Sequence, residues 1–289
     1  MTKISPLRQR FIDDMNLAGL TAGTQATYIG IILKLVRHCG NTPPQSITEQ
    51  QVEQYIGERL ATVARGTFQS EFAALKALFV RTLGREWSIF TKKKVASPKR
   101  FRLPVAKSHQ DCQRLINAIQ HPVYRTCLTT IYVTGLRIGD AVRLPVTAVD
   151  SKTMVLRVIG KGNKERILPI NQPLLQLLRE TWKLHRSNRY LFACFDGRAI
   201  SKRSIERAVK QAREQLGFGN EFTTHVLRHS FATRLLEQGV PSETIQMLLG
   251  HASARSTRIY LHLTIPLQED IRNKLDQSFA DCLPKGGQK

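Results

Sequence analysis

Residues 153–170 read TMVLRVIGKGNKERILPI. Val155, Arg157 and Ile159 alternate with Leu156, Val158 and Gly160, the two-residue period of a strand, and Gly162-Asn163 supplies hairpin turn chemistry. Around this hairpin nearly everything carries helical spacing, with apolar residues three and four apart. Helices are expected at about 108–120, 122–134 and 137–144 before it. After it they are expected at 171–185, 201–216, 225–238, 242–250, 254–262 and 266–279. Residues 1–91 read as all-helical, with segments near 5–18, 22–38, 47–61 and 64–83, a small four-helix bundle. In its fourth segment Phe68, Phe72, Leu75, Leu78 and Phe79 form an apolar stripe opposite Arg65, Gln69 and Lys76. Ser46 or Thr48 is placed to cap the third helix, and Gly40 and Gly84 to end the helices before them. The expected fold is mainly α with a small antiparallel β-sheet, in two domains: 1–91 and 108–289, joined by 92–107.

That joining stretch, KKKVASPKRFRLPVAK, carries seven basic side chains and no acidic ones, has two prolines and lacks clear apolar periodicity. It reads as an extended basic linker, although a solvated surface loop has the same composition. Over 289 residues, 44 Lys and Arg oppose 22 Asp and Glu, a formal charge of +22, which predicts a polyanionic partner with nucleic acid first. A protein that only coats phosphate would look the same by composition. No apolar run approaches the ~20 residues of a transmembrane helix, so no membrane partner is expected. The first twenty residues, with Asp13 and Asp14 inside their apolar pattern, do not form a signal peptide. The five cysteines (Cys39, Cys112, Cys127, Cys194, Cys282) fit neither a disulfide framework nor zinc-ligand spacing. A reduced, cytoplasmic protein without metal or cofactor is expected.

Four short segments hold candidate chemistry. In TGLRIGDAVRL, Arg137 follows a glycine-marked helix junction, and Asp140 lies three residues on, close enough to orient the guanidinium. An intrahelical surface pair has the same spacing. At the hairpin tip Lys161 lies between two glycines, which suits close approach to a partner and also an ordinary polar turn. In THVLRHSFATRLL, His225 and Arg228 share a helical face with His229 beside them, a pairing that favours anion binding over a buried structural histidine. In LLGHASARSTRIYLHL, His251 follows Gly250 at a helix end and Tyr260 lies nine residues later, where a lone tyrosine is ordinarily a core residue. Taken together, two arginines, a lysine and two histidines can surround one phosphate with a tyrosine hydroxyl as nucleophile. Phosphoryl transfer needs charge stabilisation and alignment above all. No carboxylate cluster of the kind that holds two Mg²⁺ is evident, which points to metal-free chemistry.

The order Arg, Lys, His-x-x-Arg, His, Tyr, in the words TGLRIGDAVRL, VIGKGNKERILPI, THVLRHSFAT, LLGHAS and TRIYLHL, resembles the tyrosine recombinase (phage integrase) family. The compact length and the IGKGNKER wording are most similar to Xer-type and mobile-element members. The resemblance implies a helical core-binding domain plus a mixed α/β catalytic domain. It also implies a role for each matching position. Arg137 and Arg228 would bind the non-bridging oxygens of the scissile phosphate, and Lys161 would protonate the leaving 5′-oxygen. His225 would accept or shuttle a proton, His251 would donate to the phosphate, and Asp140 would steady Arg137 and His225. Tyr260 would attack, forming a 3′-phosphotyrosine link.

The resemblance further implies double-stranded DNA with inverted arms as partner, and a homotetramer exchanging strands through a Holliday junction, with exchange of C-terminal tails. The tail, 266–289, has a pattern that fits packing on its own chain equally well. Candidate DNA-binding cations are Lys92, Lys93, Lys94, Lys99, Arg100, Arg102 and Lys107 of the linker, and Arg203, Arg207 and Lys210 of a basic helix; a solvated face is the other reading of that helix. No arm-binding domain is expected before the bundle, and a nucleoid-associated location follows from the DNA partner. A type IB topoisomerase or telomere resolvase shares the chemistry, and a non-catalytic DNA-binding accessory protein shares the charge.

Overall fold

Short hydroxyl side chains and prolines set the helix starts in a computed structural model that describes residues 5–91, 106–160, 165–250 and 265–282. The chain divides into two units, 1–102 and 103–289.

In the first unit, Ser5 caps α1 (Pro6–Leu17) by accepting from the Arg8 N–H, with proline at the first helical position. Thr21 caps α2 (Ala22–His38) in the same way. Thr48 begins α3 (Glu49–Thr62) with a capping box, accepting from the Gln51 N–H at 3.3 Å while the Gln51 side chain accepts from the Thr48 N–H at 2.9 Å. The expected fourth helix divides into α4 (Arg65–Lys76) and a π-helical turn (Ala77–Thr82), followed by the short α5 (Ser88–Thr91). Phe11, Met15, Leu35, Val52, Phe68, Leu75, Leu78 and Phe79 fill the core between them. Glu71 on α4, 3% exposed, is held by a bidentate pair with Arg59 on α3 at 2.7 and 2.8 Å. Its forked geometry satisfies both carboxylate oxygens of a charge that burial alone would penalise.

The second unit is built on α7 (Pro122–Thr134), which is buried at every residue from Thr126 to Thr134. Its threonines satisfy their hydroxyls internally: Thr130 donates to the Thr126 carbonyl, Thr134 to that of Thr130, and Thr126 meets Thr181 at 2.7 Å. Around it pack α6 (His109–Asn117), α9 (Gln172–His185) and α11 (Thr224–Glu237). The short α8 (Ile138–Ala141) follows α7.

The expected hairpin is present as β2 (Val155–Ile159) and β3 (Glu165–Pro169), antiparallel, with a two-residue β1 (Val149–Asp150) added on the far side of β2. Its inner face carries Leu156, Val158, Leu168 and Arg166; the register pairs Val158 with Arg166. Among the described residues the remaining α-helices are α10 (Lys202–Gln215), α12 (Ser242–Leu249) and the tail helix α13 (Ile265–Phe279), and the helix expected at 254–262 lies outside the described residues. The tail packs on its own chain, against α11 and β3, with Ile271, Leu275 and Phe279 in the core of this unit. Phe279 is fully buried, edge-on to Tyr132 at 5.1 Å. Among the described residues no helix is long and apolar enough to cross a membrane.

Candidate active site

Two helix ends and one strand converge on a set of arginines. α7 ends at Gly135 in the left-handed region, φ +67°, and α12 ends at Gly250, φ +64°. Only glycine takes this conformation without a Cβ penalty. At Gly135 the space is closed as well: a Cβ would lie 2.6 Å from the Phe231 ring and 2.8 Å from the Leu249 side chain. The last carbonyls of a helix lack intrahelical donors, and here a guanidinium supplies them. Arg228, one turn into α11 and 4% exposed, donates through Nη1 to the Gly135 carbonyl at 2.5 Å and through Nη2 to the Leu249 carbonyl at 2.6 Å. Arg137, immediately before α8, donates through Nη2 to the Gly250 carbonyl at 3.2 Å, and its side chain is 36% exposed.

Asp140 is the carboxylate expected to steady Arg137, and its Oδ2 does lie 3.9 Å from Arg137 Nη1. Its short partner is a different residue. Arg166 on β3, with its side chain 5% exposed, donates to the same oxygen at 2.9 Å. Arg166 also packs beneath the Gly250 turn, where a Cβ would come within 3.0 Å of its Nη1. Reading the sequence assigned Arg166 no role. The signal was present, since it shares parity with Leu168 on a strand whose even positions face the core.

Two guanidiniums therefore meet one carboxylate, and Arg228 lies within electrostatic reach of all three. Burial pushes Arg228 down to about 9, and the neighbouring charges of Arg137 and Arg166 push the same way, with Asp140 opposing. A guanidinium keeps its proton at neutral pH even so, and the shift expresses a cation that is buried first and crowded by two others second. His225, on the exposed side of α11, is pushed below the ordinary imidazole range, first by desolvation and then by His229, Arg228, Arg137 and Lys202. His229 stands edge-on to it, 5.6 Å between ring centres. At pH 7 His225 is thus a neutral imidazole beside a cationic cluster. That combination can accept a proton next to a bound anion.

The structure brings together Arg137, Asp140, His225 and Arg228 of the expected site. Lys161, His251 and Tyr260 lie outside the described residues, as do Lys92, Lys93, Lys94, Lys99, Arg100 and Arg102. Lys107 is engaged within its own unit, pairing with Glu221 at 2.7 Å. Arg203, Arg207 and Lys210 are exposed on α10, with Lys210 3.7 Å from Glu214. Away from the cluster, donor atoms of His109, Asp281 and Cys282 lie within 4.8 Å of one another, but His109 is already bonded to Tyr132 at 2.7 Å and Asp281 at 2.8 Å.

Comparison with known proteins decides the family. Residues 108–265 match the phage integrase family, and residues 7–89 match the phage integrase N-terminal SAM-like domain. The chain belongs to the phage integrase family and is a tyrosine recombinase. It is 31% identical over 274 residues to tyrosine recombinase XerD of Corynebacterium glutamicum, covering 85% of this chain and 89% of that one. To tyrosine recombinase XerC of Natranaerobius thermophilus it is 33% identical over 228 residues, 73% of this chain and 76% of that one. The fold of the recombinase is similar to that of lambda integrase residues 75–356, solved as a dimer bound to a COC′ core site. The TM-score is 0.69 at 17% identity, with 90% of this chain and 98% of that chain covered. The resemblance read from the motif words is therefore shown, as is the mainly helical architecture with its small antiparallel sheet.

Proposed function

We propose that this recombinase is a site-specific DNA recombinase that cleaves and rejoins DNA through a 3′-phosphotyrosine intermediate at Tyr260. The observation that carries the reading is the excess of guanidinium over carboxylate where α7, α12 and β3 meet α11. Such a cluster stabilises the charge that spreads over the non-bridging oxygens of a phosphodiester under attack. Arg137 is open to solvent and its planar fork suits two phosphate oxygens. Arg228 is fixed by two carbonyls, and each terminal nitrogen carries a second N–H for the phosphate. Neutral His225 takes the Tyr260 proton as the tyrosyl oxygen bonds to phosphorus. The bond to the 5′-oxygen breaks, and Lys161 protonates that oxygen. His251 adds a hydrogen bond to the phosphate. Because the phosphotyrosine diester retains the energy of the bond it replaced, the incoming 5′-hydroxyl reverses the step with no nucleotide consumed.

In this reading the basic stretch 92–107 and the exposed face of α10 track the DNA backbone. Affinity then falls steeply with salt as counterions are released. Four protomers on two paired duplexes exchange strands in turn through a Holliday junction. Exchange of tails between them starts from the packed state of α13 on its own chain. The test uses DNA recovered with the protein from its own genome and built into nicked duplexes that trap cleavage. An SDS-resistant adduct with the wild type and none with Tyr260→Phe is expected. An equal adduct with Tyr260→Phe would remove Tyr260 as nucleophile.

A further inference from the structure

Burying a cation on the inner face of a sheet is costly unless it is paired. Arg166 stands there, opposite Val158, with its side chain 5% exposed. It reaches two other elements: the Asp140 carboxylate on α8 at 2.9 Å, and the underside of the Gly250 turn that closes α12. Both also meet Arg137. Asp140 lies 3.9 Å from Arg137 Nη1, and the Gly250 carbonyl accepts from Arg137 Nη2 at 3.2 Å.

Asp140 is thus contested between two arginines, and the buried one holds it. The consequence concerns the exposed one. Asp140 lies three residues after Arg137, a spacing that lets a carboxylate and a guanidinium close into a short pair. A short pair would tie up Arg137's fork and offset its charge, leaving less of both for an incoming phosphate. With the carboxylate held at 2.9 Å by Arg166, Arg137 keeps its distance.

We propose that Arg166 is a positioning residue of the recombinase, which occupies Asp140 and props the Gly250 turn so that Arg137 stays available to the scissile phosphate. The inference rests on the cleavage mechanism above for its kinetic consequence, but its structural consequence is independent of it. Among the described residues Arg166 acts through Asp140, Gly250 and Arg137.

The test compares wild type, Arg166→Met, Arg166→Lys and the double variant Arg166→Met/Asp140→Asn, by crystal structure and by single-turnover cleavage of a nicked duplex at saturating DNA. In Arg166→Met the Arg137–Asp140 separation contracts from 3.9 Å to about 2.8 Å, the length of a charge-assisted bond. Cleavage falls by about 10- to 100-fold, the loss expected when a phosphate-binding group is misplaced by ~1 Å. Affinity for uncut DNA is little changed. Arg166→Lys, which keeps the charge, recovers part of the rate. The double variant, lacking the carboxylate that captures Arg137, cleaves faster than Arg166→Met alone.

A merely structural role makes the opposite predictions. The double variant is then slower than Arg166→Met, and cleavage falls only in step with the folded fraction measured by thermal unfolding. Either result, or an Arg137–Asp140 distance unchanged in Arg166→Met, overturns the proposal. Should wild type fail to cleave, the mechanism fails, and the crystallographic distance still decides what Arg166 does. Should Arg166→Met fail to fold, Arg166→Lys and the double variant carry the same comparison.

Discussion

Replacing Gly135 by alanine tests whether the end of α7 is sealed as tightly as the structure shows. Two costs add. The backbone there has φ +67°, and placing an L side chain in the left-handed region costs about 1–2 kcal/mol. The new Cβ would also sit 2.6 and 2.7 Å from two atoms of the Phe231 ring and 2.8 Å from Leu249. Real Cβ atoms do not approach so closely, and forced repacking of a core costs about 1–3 kcal/mol. The expected loss is therefore roughly 2–5 kcal/mol, or about 4–20 °C in Tm for a unit of this size. Gly217 provides the control. It has φ +68° and nothing within 4 Å of the same Cβ, so Gly217→Ala carries the backbone cost alone. Urea unfolding of both variants separates the terms, since the difference between them is the steric part. Equal midpoints would refute the sealed junction. Gly135→Ala also displaces a carbonyl that holds Arg228, so the cleavage rate of the still-folded fraction should fall, whereas Gly217→Ala leaves it intact.

Arg59→Met strands Glu71, 3% exposed, without its fork, and should destabilise the first unit by about 3–5 kcal/mol by urea unfolding; a loss below ~1 kcal/mol would mean that Glu71 reaches water. His225 should titrate below the ordinary imidazole value of ~6.5 by NMR, and its midpoint should rise in His229→Gln, which removes one of the charges that depress it. The sign for stability follows: as pH falls through ~6.5 the unfolded chain takes up the proton first, so the folded state loses stability toward acid. A midpoint above that of an unfolded peptide would contradict the desolvated, cation-flanked setting. Phe279→Ala empties a fully buried site and should cost about 3–5 kcal/mol, with faster proteolysis within 265–282; an unchanged digestion pattern would show the tail undocked from its own chain in solution.

Most helices were legible because their signals are local. The spacing of Phe68, Phe72, Leu75 and Leu78, and the capping pair Thr48 and Gln51, fix a helix without reference to anything distant. The hairpin was legible for the same reason. What the sequence hid depends on pairing across the fold. β1 is two residues long and exists because Val149 and Asp150 lie against Leu156 and Val155. The π-helical turn at Ala77–Thr82 interrupts a segment whose apolar stripe reads as one continuous helix. Glu71 lies between Ser70 and Phe72 in a helical pattern, and only the approach of Arg59 from α3 makes its burial tolerable.

The site divides along the same line, and its charge balance explains why a third arginine belongs there. His225 and Arg228 were legible from helical spacing, whereas Arg166 reaches Asp140 only because the sheet folds a strand 26 residues away onto α8. A helix C-terminus carries about half a negative charge, and those of α7 and α12 both face the cluster. Such ends repel a phosphate. Among the described residues, these ends together with the Asp140 carboxylate offset about two of the three guanidinium charges, leaving roughly one, and a phosphodiester itself carries one. With only Arg137 and Arg228 the described part of the site would be close to neutral and would hold an anion less well. The glycine caps that let α7 and α12 end here thus create the demand for cations. Arg228 answers it at both helix ends, and Arg166 meets the carboxylate, so that among the described residues the charge of Arg137 is the one left over for a phosphate.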